Sequence, residues 1–387
     1  MKRVAVLGGG PAGAFAAEKL AAGGARVVLF DEKLAWEKPC GGGLTYKAYR
    51  DYPFLIDNNT PKKLVTETVL AAPKGGSATL RLDQPLVIYS RFDLNRMLLQ
   101  RAEAAGAQIE KARVQCLERT GSGWILRTKS GCLDADFCIL ATGARNPLRE
   151  YGTELTAADT MAALGYYVPG DRQQIDIQFL PHLEGYIWVF PRCGHLSVGI
   201  CGKGEPAVSL RKRLESYMQE RGISWKGAAF YSHLLPALAA PAWKKNRVEG
   251  DGWMAVGDAA GLVDPITGEG LYYALRSADL AARALLTETV QAYRKMLRFD
   301  FTADLEFGSR LAQKIFHGNF LLGSVPARMV QFTRRSPRFA SVMQDLFAGT
   351  QSYLGLKTRL LRNLNGSLFE IAMNVGLSRL LPGKLAP

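Results

Sequence analysis

The sequence predicts an α/β fold in which a Rossmann-like dinucleotide-binding domain carries an inserted antiparallel β-sheet domain and is followed by a C-terminal helical region. Three observations predict it. The apolar run Arg3–Leu7 leads directly into Gly8-x-Gly10-x-x-Gly13 and an alanine-rich helix. Residues 174–180 alternate apolar and polar, as a sheet with one solvated face requires. From about residue 291 the pattern turns helical and basic.

The first unit is the most completely specified. Residues 3–7 suit a buried parallel strand, and the helix expected over residues 11–22 is stopped by Gly23-Gly24. A second apolar strand, 26–30, ends in Asp31. Gly8 permits the tight turn, Gly10 lets backbone approach a pyrophosphate, and Gly13 lets helix and strand pack closely. The helix N-terminus attracts the anion, and Asp31 can accept hydrogen bonds from ribose hydroxyls.

The chain then departs from a simple strand and helix repeat. Lys38-Pro39-Cys40-Gly41-Gly42-Gly43-Leu44 is a loop whose three glycines let the main chain lie flat against a planar or bulky ligand. Ser90-Arg91-Phe92-Asp93 opens a helix through about Ala105, with Asp93 as the expected N-cap. Arg91 either reaches a phosphate or is a solvated surface charge, and the sequence does not choose. Residues 112–119 and 124–128 form a hairpin about Thr120-Gly121-Ser122-Gly123. Residues 136–140 form a buried strand ending in the small-residue loop Ala141-Thr142-Gly143.

In the antiparallel region, Ile175, Ile177 and Phe179 share one face. Residues 186–190 put Tyr186, Trp188 and Phe190 on one face and Ile187 and Val189 on the other. The aromatic face either lines a pocket for an apolar chain or packs a core, and both readings stay open. Residues 196–201 complete the sheet. His182, His195, His233 and His317 lack catalytic spacing and read as structural or exposed.

Near the end of that region the chain runs W-M-A-V-G-D-A-A-G-L-V-D-P-I-T-G-E-G-L-Y-Y-A-L from Trp253. A strand over 253–256 and a helix from about Glu269 enclose a loop whose amides face beyond the strand ends. Asp258 suits ribityl hydroxyls, and Gly268, Gly270 and the Leu271 backbone suit a flavin ring. A flavin dinucleotide is long enough to need this second loop. A nicotinamide dinucleotide does not obviously need it, so the sequence points to FAD.

Composition limits the alternatives. At 387 residues and 48% hydrophobic content the chain can bury a substantial core. The six cysteines show no C-x-x-C pair or Cys/His cluster, which favours free thiols and no metal. Gly8 and Pro11 interrupt the N-terminal apolar run too early for a secretory signal. No apolar run reaches the roughly 18 residues of a membrane span. The net charge is +14, and residues 311–387 hold ten Lys or Arg against two Asp or Glu. Those cations alternate with Phe316, Phe320, Leu321, Leu322, Leu360, Leu361, Phe369 and Leu380. The pattern fits a membrane-surface contact or a solvated helical cap. No recognisable module argues for nucleic acid.

Taken together, G-G-G-P-A-G at 8–13, K-P-C-G-G-G at 38–43, R-F-D at 91–93, A-T-G at 141–143, Y-I-W-V-F-P at 186–191 and G-D-A-A-G-L-V-D-P-I-T-G-E-G at 257–270 resemble the FAD-dependent geranylgeranyl reductase family. That family lies within the p-hydroxybenzoate hydroxylase-like flavoproteins. The resemblance covers about residues 1–290, and the tail more loosely. It implies FAD contacts at Ala12, Asp31, Gly42, Gly43, Arg91, Val114, Asp258, Gly270 and Leu271, and places Cys40 near flavin or substrate.

It further implies a discontinuous FAD-binding domain over 1–60, 88–155 and 250–290, a substrate-binding sheet domain over 61–87 and 156–249, and a helical region over 291–387. The expected activity is saturation of a polyprenyl chain by hydride from reduced flavin, with NAD(P)H or reduced ferredoxin as donor. Cys40, Tyr186 and Trp188 are the expected site-shaping residues, and no residue identifies itself as proton donor. A cytoplasmic, peripheral-membrane location is expected. The rival readings are an FAD-dependent monooxygenase or halogenase and a membrane-docking quinone reductase. Trp188-x-Phe190-Pro191 distantly resembles the halogenase pattern.

Overall fold

The structure, a computed structural model, describes residues 2–363, 366 and 370. Phe369, Leu380 and the rest of the expected C-terminal pattern beyond these lie outside the described residues.

Arg3–Leu7 pairs in parallel with Arg26–Phe30 on one side and Phe137–Leu140 on the other. Gln108–Glu110 and Trp253–Ala255 extend the sheet at either flank, also in parallel, and Glu249–Gly250 closes one edge antiparallel. Parallel strands need long crossovers, and helices Pro11–Ala22, Arg91–Ala104 and Leu271–Leu286 cover this sheet. Pro11 sits in the first turn of its helix, where its missing N–H costs nothing. The loops that follow the strands at Gly8, Ala141 and Val256 consequently meet at the carboxyl ends of three neighbouring strands.

An eight-stranded sheet runs in the order Ala229–Pro236, Thr160–Pro169, His195–Lys203, Glu184–Pro191, Gln174–Phe179, Lys62–Ala72, Gly76–Tyr89, Gly43–Leu44. Its one parallel pair joins residues 174–178 to 67–71, so two chain segments far apart in sequence share the sheet. The central strands are covered on both faces, whereas Ser77, Thr79 and Arg81 of Gly76–Tyr89 are exposed. Ile187 and Val189 pack with helix Ala207–Glu220, whereas Trp188, Tyr186 and Phe190 face Val325–Arg335 and Pro337–Phe347.

Two local expectations are corrected. The strand expected over 112–119 begins at Cys116, because Ala112 turns back onto the Glu110 carbonyl. A third strand, Gly131–Ala135, joins the expected hairpin. The helix at residue 91 is capped by Ser90, whose hydroxyl accepts from the Asp93 amide, so Asp93 is a first-turn residue and not the cap. No described helix is long and apolar enough to cross a membrane. All six cysteines are free, and no group of His, Cys, Asp or Glu among the described residues could hold a metal ion.

Candidate functional site

The first loop is shaped by what its glycines exclude. Gly8 has φ +113, and a Cβ there would overlap the Ala141 carbonyl. At Gly13 a Cβ would overlap the Gly8 carbonyl, so loop and helix touch only because neither carries a side chain. Gly10, by contrast, has nothing within 4 Å, which leaves its backbone open to a ligand. Asp31 accepts the amides of Gly9, Lys33 and Leu34, each at 2.7 Å, and thereby fixes the loop to the end of its strand.

Two cavities flank this loop. The smaller, about 150 Å³, is lined by Gly8, Asp31 and Val114 together with Arg113 and Arg145. The larger, about 1090 Å³ and mostly apolar, begins at Gly10 and Ala12. It passes Cys40, Gly42, Gly43 and Arg91, then Asp258, Gly270 and Leu271. It also takes in Tyr186 and Trp188, Phe320 of a short hairpin, and Phe347 and Leu361 of the C-terminal helices. Gly13 lines neither cavity and serves packing alone.

Arg91 is not a surface charge: it is 3% exposed, and its Nε has no hydrogen-bond partner. Its Nη2 donates to Asn95 Oδ1 at 3.2 Å. A buried, partly unpaired guanidinium on a cavity wall calls for an anion, and a pyrophosphate supplies one. With the open Gly10 backbone and the helix N-terminus, these residues fit a flavin dinucleotide.

The glycine loop at 41–43 is set largely by the protein itself. A Cβ at Gly41 or Gly43 would press on the Phe190 ring, and Gly42, at φ +84, lies too close to the Tyr89 carbonyl for a side chain. The loop therefore lies flat on an aromatic of the substrate-side sheet while its other side meets the cavity. Beneath it is Arg192, fully buried, which ion-pairs with Glu37 and donates to the carbonyls of Cys40 and Gly41. Glu37 also accepts the Ser90 hydroxyl at 2.5 Å and the Arg91 and Phe92 amides at 2.9 and 3.3 Å. Burial opposes its ionisation, but Arg192, Ser90 and those amides outweigh burial and hold the carboxyl below its usual range.

This pair went unread in the sequence, where only the position of Arg192 directly after the Y-I-W-V-F-P run hinted at it. Replacing Arg192 by Met is expected to cost about 1–3 kcal/mol by leaving half-buried Glu37 without its ion-pair partner. Thermal or denaturant unfolding checks this, and adding Glu37→Gln is expected to recover part of the loss.

Around the Asp258 loop the groups are polar. Lys38 Nζ lies 3.6 Å from Asp258 Oδ2. His233, read as structural or exposed, instead lines the large cavity, and its Nε2 has no partner. Burial, then the positive charges of Lys38, Arg91 and Arg145, push its pKa down to about 3 against the pull of Asp258. Asp264 anchors the next stretch by accepting both the Ile266 and Thr267 amides and the Tyr353 hydroxyl.

Glu269 follows. Its Oε1 accepts from Thr45 Oγ1 at 3.2 Å, and it faces the cavity. Burial, then the Asp264 charge, raise its carboxyl to about 7, with Lys47 and Thr45 acting the other way.

On the opposite wall Tyr186 donates its hydroxyl to the Thr267 carbonyl, and Trp188 Nε1 donates to Ser197 Oγ at 3.4 Å. The two rings stand edge to face at 6.2 Å. Cys40 Sγ accepts from the Gly42 amide at 3.3 Å and lines the cavity. The open choice between pocket and core for the aromatic face thus resolves to a cavity wall that also packs against the sheet core.

The family described as pyridine nucleotide-disulphide oxidoreductase matches residues 2–160. A chloroplastic geranylgeranyl diphosphate reductase of Oryza sativa subsp. japonica is 28% identical over 347 residues, covering 80% of this chain and 72% of that one. A crystal structure of a geranylgeranyl bacteriochlorophyll reductase-like protein from Thermoplasma acidophilum superposes with a TM-score of 0.72 at 23% identity, covering 89% of this chain and 99% of that chain. A flavin-dependent brominase shares the fold at a TM-score of 0.68 and 16% identity, covering 90% and 93%.

Proposed function

We propose that this chain, an FAD-dependent oxidoreductase similar to the geranylgeranyl reductases, saturates carbon–carbon double bonds of a polyprenyl chain. The observation that carries the reading is the single apolar cavity that runs from the nucleotide loop at Gly10 to Phe347 and Leu361. An isoprenoid needs an extended apolar wall that reaches the redox centre, and the lining of this cavity includes residues of both the nucleotide loop and the C-terminal helices. We divide the chain into cofactor-binding segments 1–60, 88–155 and 250–290, substrate-sheet segments 61–87 and 156–249, and helices from 291. The strand membership of the two large sheets supports this division, although Gly43–Leu44, Ile88 and Tyr89 join the substrate-side sheet and Glu249 joins the other.

Reduced FAD, when bound, supplies hydride to one alkene carbon. The rest falls to the chain. Gly10 and Ala12 with Arg91 hold the pyrophosphate, Gly8 and Gly13 give the loop the close packing that presents them, and Asp31 and Val114 hold the adenosine end. Asp258 holds ribityl hydroxyls, and Gly42, Gly43, Gly270 and Leu271 present backbone to the ring. Tyr186 and Trp188 align the apolar chain, and Cys40 shapes the junction between cofactor and substrate. An isolated alkene is poorly polarised, so rate depends on close positioning and exclusion of water by these walls. Glu269 holds the proton for the second carbon. NAD(P)H or reduced ferredoxin is the electron donor.

The test is anaerobic. The purified, chemically reduced protein is mixed with a panel of geranylgeranyl lipids while flavin absorbance and product mass are followed. Reoxidation with a gain of about two daltons per bond is the expected result. Reoxidation only on admitting oxygen, with a hydroxylated or halogenated product, overturns the reading in favour of a monooxygenase or halogenase. Reoxidation only by quinone, with no saturated lipid, overturns it in favour of a quinone reductase.

A further inference from the structure

At the far end of the large cavity, Asn319–Phe320 and Gly323–Ser324 form a short hairpin joined by Leu321 and Leu322. Both leucines have positive φ, 47° and 60°, in a turn of a kind that ordinarily carries Asn-Gly or Asp-Gly. Two large β-carbon-bearing residues in the left-handed region are strained, and nothing in the fold repays it: Leu321 is 51% exposed and Leu322 fully exposed.

The base is held firmly. Arg328 donates to the carbonyls of Phe320 and Leu321, and Phe320 meets the Phe332 ring edge-on. Hence the tip projects from a rigid stem.

Asn319, Phe320, Val325 and Arg328 line the cavity, so the hairpin stands at its edge. Lys314, Arg328 and Lys357 line the same cavity, and none makes an ion pair among the described residues. Leu361, also on the cavity wall, is exposed. A few apolar side chains are far short of the roughly 800 Å² per partner that a stable protein interface buries. They suffice for a bilayer, where insertion of a few side chains adds to attraction between cations and anionic headgroups.

We propose that the hairpin at 319–324 is a membrane-docking tip. Leu321 and Leu322 enter the acyl region of a bilayer containing anionic lipid, Lys314, Arg328 and Lys357 meet its headgroups, and the cavity opens onto the same surface. The proposal concerns docking only and does not rest on which bond the enzyme reduces.

The test is flotation of the FAD-loaded full chain with vesicles of phosphatidylcholine alone or containing about one third phosphatidylglycerol, at low and high salt. The protein is expected to float with the anionic vesicles, less so as salt rises. Leu321→Asn combined with Leu322→Gly supplies the residues this turn prefers, so its thermal midpoint should not fall, while vesicle binding drops by about tenfold or more.

In a second variant, Leu322→Trp, indole fluorescence should be quenched by brominated acyl chains. Failure of the unmodified chain to bind anionic vesicles overturns the proposal, as does full binding by the double variant. Self-association that the double variant abolishes, without vesicle binding, overturns it in favour of a second copy of the chain. Alkene reduction in detergent-dispersed substrate is unaffected either way, so the two readings stand or fall separately.

Discussion

Replacement of Glu269 by Gln is expected to lower the rate of alkene saturation by about 10²-fold or more, the usual scale for losing a positioned general acid. Reduction needs a proton as well as a hydride, and the cavity offers few groups able to give one near neutral pH. His233 is pushed to about 3 and is neutral there. The Tyr186 hydroxyl is raised well above 10 by burial, and Asp264 is engaged by Tyr353 and two amides. Asp300 pairs with Arg276, and Asp304 accepts the Tyr353 and Leu354 amides. Glu269, raised to about 7 by burial and Asp264, is part-protonated where the others are fixed.

The pH dependence carries a definite sign. Rate should fall as pH rises through about 7 in the unmodified protein, and that limb should vanish in Glu269→Gln. Stability supplies an independent reading. The folded state holds the proton to higher pH than the unfolded chain, so this group's contribution worsens as pH rises from 4.5 to about 7. Glu269→Gln should therefore gain thermal midpoint, relative to the unmodified protein, at pH 8 compared with pH 4. Unchanged rate and pH profile in the variant would sink the assignment of Glu269 as proton donor.

Gly13→Val is expected to yield protein without FAD. The new side chain would overlap the Gly8 carbonyl and crowd Ala141, forcing the helix off the strand that positions the pyrophosphate loop. Bound flavin, read from absorbance of the purified protein, should fall to background, and the thermal midpoint should fall as well. Gly10→Ala separates the two effects. With nothing within 4 Å of Gly10, the alanine meets no protein atom, so the flavin-free midpoint should hold. FAD affinity should nevertheless weaken by about tenfold or more, or ~1.4 kcal/mol, because the methyl group occupies space the cofactor needs. Full flavin retention in Gly13→Val would contradict the assignment of this loop to the dinucleotide.

Other parts of the site were much less visible before the fold was known. Glu37 and Arg192 are separated by 155 positions, and each reads alone as an ordinary surface charge. Their pairing follows from the loop at 38–43 lying on the sheet strand that ends in Pro191. His233 sits on an edge strand whose partner, Thr160–Pro169, sets which side chains face the cavity. Arg91 was undecided because a helix's first turn can point toward solvent or toward a neighbouring loop. The strain at Leu321 and Leu322 is invisible in composition, since two leucines between Phe320 and Gly323 read as an apolar run.

The sequence by itself determined the nucleotide unit from Arg3 to Asp31, strand, glycine turn, helix and acid, to the residue. It did so because each requirement there is met within a few positions: the 3.6 and 2.0 periodicities, the proline of a first turn, the glycines that leave room for a close backbone. The tertiary structure alone decided which distant segments share a wall. Pairing of residues 174–178 with 67–71 and packing of the C-terminal helices on the eight-stranded sheet bring Tyr186, Glu269 and Phe347 around one cavity. Such contacts depend on register and packing between elements far apart in the chain, and no local pattern records them.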